Sequence, residues 1–107
     1  MYMITKKLTQ IEKEIDTTKK KLRLLGEMRP GTLTLQYKDP KKKEGGYYQL
    51  SYTHKMKSRT EYIRPLFVRE IEKQVKIYKK FKKLIERWVD LSIEYSRLKM
   101  EKEKREI

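Results

Sequence analysis

Lys38, Lys41, Lys42, Lys43, Lys55, Lys57, Arg59 and Arg64 crowd into the middle third of this chain. Tyr47, Gln49, Ser51 and Thr53 lie between them. Cations at this density can neutralise phosphates, and hydroxyl, amide and phenol groups between them suit phosphate, sugar and base-edge contacts. The chemistry within reach of these residues is the holding of a polyanion.

The charge balance points the same way. The 107 residues carry 29 Lys+Arg against 15 Asp+Glu, a net charge of +14. Residues 29–64 hold 9 bases and 3 acids, the poorest cancellation along the chain; residues 1–28 hold 7 and 4, and residues 65–107 hold 13 and 8. A surface of this kind attracts nucleic acid first and anionic membrane second. No apolar run approaches the ~20 residues that span a bilayer, and the first residues, Met1 to Lys7, lack a signal-peptide core. The expectation is an intracellular, soluble protein, cytoplasmic or held at the nucleoid, with no membrane partner.

Residues for catalysis are sparse. There is no cysteine, which excludes disulfides and thiolate metal sites. His54 is the only histidine and has lysines, not carboxylates, as its neighbours. Ser51 and Ser58 have no base nearby in sequence, and Gly45-Gly46 precedes no helix that could cradle a phosphate. The expectation is a binding protein without catalytic residues, metal or cofactor.

The elements that must position the basic segment are legible from periodicity. Ile4, Leu8, Ile11, Ile15, Thr18, Leu22 and Leu25 step 4,3,4,3,4,3, and so do Ile77, Phe81, Leu84, Trp88, Leu91, Tyr95 and Leu98. Each is the a/d seam of a coiled coil. Two seams of equal length in one chain predict an antiparallel helix pair, with Trp88 in its core. Helix one is expected from about Thr5 to a C′ glycine at Gly26, and Arg29-Pro30-Gly31 turns the chain.

Between the helices, alternation predicts strands over Thr32–Lys38, Tyr47–Thr53 and Ser58–Ile63. In the second, Tyr48, Leu50 and Tyr52 share one face, while Tyr47, Gln49, Ser51 and Thr53 share the other. His54 to Lys57 has the length of a hairpin turn. The fold class expected is α+β: a helix over 1–28, a three-stranded antiparallel meander over 29–64 and a long helix over 65–107, in one domain with a coiled-coil stalk. Pro65 opens the last helix, which should reach about Lys104 over roughly 60 Å. Its first turns carry a second apolar row, Phe67 or Val68, Ile71, Val75 and Tyr78. That row should pack under the sheet against Leu33, Leu35, Leu50 and Tyr52. Residues 101–106 lack apolar periodicity and should fray.

Arg29-Pro-Gly-Thr-Leu, Gln36-Tyr37, Gly46-Tyr-Tyr-Gln-Leu-Ser-Tyr-Thr, Lys57-Ser-Arg-Thr-Glu-Tyr-Ile and Val75-Lys-Ile-Tyr-Lys-Lys-Phe occur in that order. Over roughly residues 28–98 this resembles a family of short basic bacterial and archaeal proteins, often encoded near transposase-like genes. Relatives often carry a Gly- and Cys-containing loop between the first two strands, whereas here Lys38 to Gly45 holds no cysteine. The resemblance implies the segmentation and no particular activity. Tyr47–Ile63 also resembles the three-stranded arm-type DNA-binding domains of phage integrases, whose sheet lies in the major groove.

The function expected is nucleic-acid binding through the basic sheet, DNA favoured over RNA, as an accessory of a mobile element or as a regulator. The alternatives are a coiled-coil adaptor for a larger protein, or an RNA- or ribosome-associated protein. Ile85, Val89, Leu91 and Ile93 give the second helix more apolar surface than one partner needs. A homodimer through the helices, near residues 78–93, is therefore expected.

Overall fold

The computed structural model describes residues 2–106; Met1 and Ile107, the outermost residues of the expected segments, lie outside the described residues. The order is α1 (Tyr2–Arg23), β1 (Thr32–Asp39), β2 (Glu44–His54), β3 (Lys57–Ile63), a short 3-10 turn (Pro65–Phe67) and α2 (Val68–Glu106). The α+β class and the succession of helix, meander and long helix are as expected. Two compact units divide the chain: α1 with the part of α2 from Phe81 onward, and residues Gly26–Lys80.

In the helical unit every buried residue falls on one of the two seams, while the rest of each seam, Trp88 included, is half-buried. Ile4, Leu8, Ile11 and Thr18 are buried on α1, and Leu91, at 2% exposure, is the most deeply buried residue on α2. Thr18 is a hydroxyl at a core position; its Oγ1 donates to the Glu14 carbonyl at 2.8 Å, so nothing is left unpaired. Cross-helix contacts fix the direction. Tyr95 Oη donates to Glu12 at 2.7 Å, Arg87 lies 3.5 Å from Glu14, and Lys19 sits 5.0 Å over the Trp88 ring. From Glu12 to Lys19 on α1 the partner on α2 falls from Tyr95 to Trp88, so the pair is antiparallel.

Helix boundaries differ from the sequence reading. α1 starts at Tyr2 rather than Thr5, which brings Ile4, the first seam residue, inside the helix. It ends at Arg23, before Gly26. The Leu24 and Leu25 N–H groups tighten the last turn by donating to Lys21 and Leu22 at 3.2 Å. Gly26 does not take the left-handed conformation of a C′ glycine. Lys20, Lys21 and Arg23 complement the negative end of the helix dipole instead. α2 is helical to Glu106, past the expected end near Lys104. Its seam continues one more step to Lys102, whose stem is half-buried. Arg105 also bonds Glu101 at 2.7 Å one turn back.

In the other unit, β1, β2 and β3 pair antiparallel in that order. Leu33 faces Leu50 across β1 and β2, and Leu50 faces Glu61 across β2 and β3. Leu50 is 0% exposed, and Ile63, Ile71 and Val75 complete the core, with Leu33, Tyr48, Tyr52 and Val68 against it. Val68, Ile71 and Val75 recur at helical spacing on one face of α2, so these three members of the second apolar row lie under the sheet. Leu35 is a correction: it is 45% exposed. It sits on the edge strand opposite Tyr48, and the buried residues of the cluster belong to β2, β3 and α2, leaving the outer end of β1 at the margin.

Because Leu50 has no exposed surface to relax into, Leu50→Ala is expected to destabilise the protein by about 2–5 kcal/mol. The measurement is the urea midpoint of a circular-dichroism unfolding curve.

Candidate nucleic-acid interface

Strand alternation sends one face of the sheet onto α2 and leaves the other open. The registers place Thr32, Ser51 and Thr60 in one cross-strand row, and Thr34, Gln49 and Tyr62 in the next. Gln36 with Tyr47, and Thr53 with Ser58, extend the same face. Tyr47, Gln49, Ser51 and Thr53 are thus brought together as expected. Thr32, Thr34, Gln36, Ser58, Thr60 and Tyr62 belong with them. Their signal is the alternation of β1 and β3, which puts every second residue on the open face once β2 is fixed.

The groups on this face are hydroxyls, amides and phenols. Thr53 and Ser58 hydroxyls lie 2.9 Å apart, Ser51 and Thr60 hydroxyls 3.5 Å apart, and Gln36 Nε2 donates to Thr34 at 3.2 Å. The rings of Tyr47 and Tyr62 lie 6.4 Å apart, tilted by 48°. All of these groups can re-pair with the edges and sugars of a nucleic acid.

Cations bracket the face at both ends of β2. At one end Lys41, Lys42 and Lys43 are exposed in the loop between β1 and β2, with Lys38 on the open face beside it. The Lys42 N–H donates to Asp39 Oδ1 at 3.3 Å, and Lys43 (φ 54°) and Gly45 (φ 67°) turn the chain. Glycine is favoured at position 45 on two counts. Its φ is left-handed, and a Cβ there would stand 3.0 Å from the Lys38 Cβ. Arg64 follows the end of β3, near the same end of β2, and is exposed. At the other end lie Lys55 and Lys57, also exposed. β2 has 11 residues, so the two clusters stand roughly 34 Å apart. That span matches one turn of B-DNA, about 34 Å.

Arg59 does not lie on the open face. It pairs with Tyr52 and shares the face of Glu61 and Ile63, the one turned toward α2. Lys57, opposite His54, has the same parity. The cations of this end therefore lie along the rim and reverse of the sheet, not on its open face.

A network missed at the sequence level fixes this end. Arg29 clamps Glu61 with both guanidinium nitrogens, Nη1 to Oε2 at 2.8 Å and Nη2 to Oε1 at 3.1 Å. Tyr52 Oη donates to the same Oε1 at 2.9 Å, and the Arg29 guanidinium stacks 5.1 Å over the Tyr52 ring. The Arg29 N–H reaches the Gln74 carbonyl on α2 at 3.2 Å. The turn after α1, the central strand, β3 and α2 meet here. The Arg29 hydrogen bonds, followed by that of Tyr52, hold the Glu61 carboxyl below the usual carboxylate range, while Glu61 raises Arg29. No signal in the sequence links Arg29 to a partner 32 residues away.

Among the described residues no group of three His, Cys, Asp or Glu side chains could hold a metal ion, and no helix is long and apolar enough to cross a membrane. His54 is exposed at the end of β2.

Since the folded-state pKa of Glu61 is depressed, its contribution is complete above the ordinary glutamate value, about 4.3, and is lost as pH falls through the lower folded value. Glu61→Gln is expected to cost about 1 kcal/mol at neutral pH, a modest figure because the pair is partly exposed. It should also flatten the acid limb of stability. Urea unfolding from pH 7 down to pH 3, wild type against variant, measures both. Comparison with family models, curated proteins and solved structures finds no match to this chain.

Proposed function

We propose that this chain is a nucleic-acid-binding protein that prefers duplex DNA and binds it through the open face of the β-sheet. One observation carries the reading: a polar, uncovered three-stranded face is bracketed at both ends of its central strand by exposed lysines. The lysines hold phosphates on either side, which gives affinity and register. The hydroxyl, amide and phenol groups between them meet base edges and sugars. Residues Gly26–Lys80, the unit that contains the sheet, hold 14 Lys/Arg against 6 Asp/Glu, so its own field is attractive to a polyanion. A chain that does this works at the nucleoid, as an accessory to a mobile element or as a regulator.

A second reading rests on α2. Val89, Ile93 and Met100 are exposed, and with Ile85 they recur on one side of that helix. This stripe favours a homodimer through the helices, or an adaptor that docks on a larger protein. Sedimentation at micromolar concentration is expected to show a dimer that Val89→Glu with Ile93→Glu returns to monomer. A wild type that is only monomeric would remove the homodimer.

The DNA reading is tested by binding to a labelled duplex, a hairpin RNA and a single strand across a salt series. The duplex is expected to bind tightest, with a steep salt slope. Changing Lys41, Lys42, Lys43, Lys55, Lys57 and Arg59 to alanine should flatten that slope by up to about 5, at ~0.9 for each phosphate that is no longer neutralised. Tighter binding to the RNA would move the assignment to RNA. Equal binding by wild type and variant would move it to the adaptor.

A further inference from the structure

The pairing of β1 with β2 stops at Thr32 and Ser51, but β2 and β3 continue for three more rungs: Tyr52 with Arg59, Thr53 with Ser58, and His54 with Lys57. These rungs form a two-stranded arm that extends about 10 Å past the β1 pairing. The network of Arg29, Glu61 and Tyr52 braces its base. Lys55 and Met56 close it, both with left-handed backbone, φ 50° and 64°.

The residue at the tip is not what the local physics selects. A two-residue hairpin turn with positive φ at both central positions prefers Asn-Gly, because L side chains other than Asn and Asp resist that conformation. Methionine is a poor choice for it. Nor does the core use this side chain: Met56 is 98% exposed, more than any other large apolar residue described. A long, unbranched, polarisable side chain is thus held out at the end of an arm by a backbone that disfavours it. Lys55 and Lys57 are its neighbours in the chain, both exposed, and exposed Arg59 lies further down the arm. An apolar tip flanked in the chain by two lysines fits a ligand with an apolar interior and an anionic outside at the scale of one side chain. A base step between two phosphate strands is such a ligand.

We infer that Met56 is a wedge that enters a base step of bound duplex DNA from the minor groove while the arm's cations hold the flanking phosphates. This rests on the DNA-binding reading above and adds a consequence to it, a kink at the site of entry. Side chains such as Met inserted this way unstack the step and bend the duplex by roughly 20–90°. Flexible pyrimidine–purine steps are the preferred sites, because they unstack at least cost.

The experiment uses the full chain and a short duplex carrying 2-aminopurine beside a central TA step and a donor–acceptor pair on its ends. Wild type is expected to brighten the 2-aminopurine and to shorten the end-to-end distance. Met56→Leu should keep both signals. Met56→Gly, which suits the turn, and Met56→Ala should lose both while affinity stays within about threefold and the salt slope is unchanged, since every phosphate-binding cation is kept. Unchanged unstacking and bending in Met56→Gly overturns the wedge. So does wild-type binding without either signal, and in both of those cases DNA binding stands. No binding by wild type at low salt overturns the DNA reading and the wedge together.

Discussion

Leu50 decides which way the sheet faces. It is the centre of the middle strand and has no exposed surface, so its side chain must point at Ile71 and Val75 of α2. Alternation then does the rest. Gln49 and Ser51 point outward, and the registers to β1 and β3 carry that choice across the sheet. A slip of one residue would bury Gln49 and Ser51 and expose Leu50, so the register is strongly determined. The open face is therefore a by-product of core packing: one helix covers one side of the sheet, and the other side is left polar.

Charge is distributed according to the same geometry. Lysines cannot enter a core this thin, and they collect where the chain reverses, at both ends of the longest strand. Two of the three acids near them are engaged locally. Glu61 is clamped by Arg29, and Asp39 accepts the Lys42 N–H within its own loop. Arg29 is thereby withdrawn from any surface role, while the exposed lysines keep theirs. The arm beyond β1 depends on this clamp too, because Tyr52, its first rung, is held by Glu61 from one side and by the Arg29 guanidinium from above.

Much of the architecture is legible in the sequence because periodicity reports burial directly. The buried residues of the helical unit all fall on the two heptad stripes, and Val68, Ile71 and Val75 are the row beneath the sheet. What periodicity does not report is relative placement. Leu35 alternates as a core residue should, yet it lies exposed at the outer end of an edge strand. Arg59 sits in sequence among the cations that flank Ser51 and Thr53, yet its face depends on pairing with Tyr52. The α2 terminus shows the converse. Its seam continues through the half-buried stem of Lys102, which a hydrophobic pattern does not count. The Arg29–Glu61 clamp is hidden for a simpler reason, since its partners are far apart in the chain and neither type is unusual for a loop or a strand.

The most direct test of the central claim, that the open sheet face meets nucleic acid, is an amide NMR titration of the full chain with a short DNA duplex at low salt. The account predicts shifts concentrated at Thr34, Gln49, Ser51 and Thr60 and at the two lysine-bearing turns, with the α1 seam residues Leu8 and Ile11 unmoved. Shifts confined to α1 and the outer part of α2, with the sheet unaffected, would contradict it.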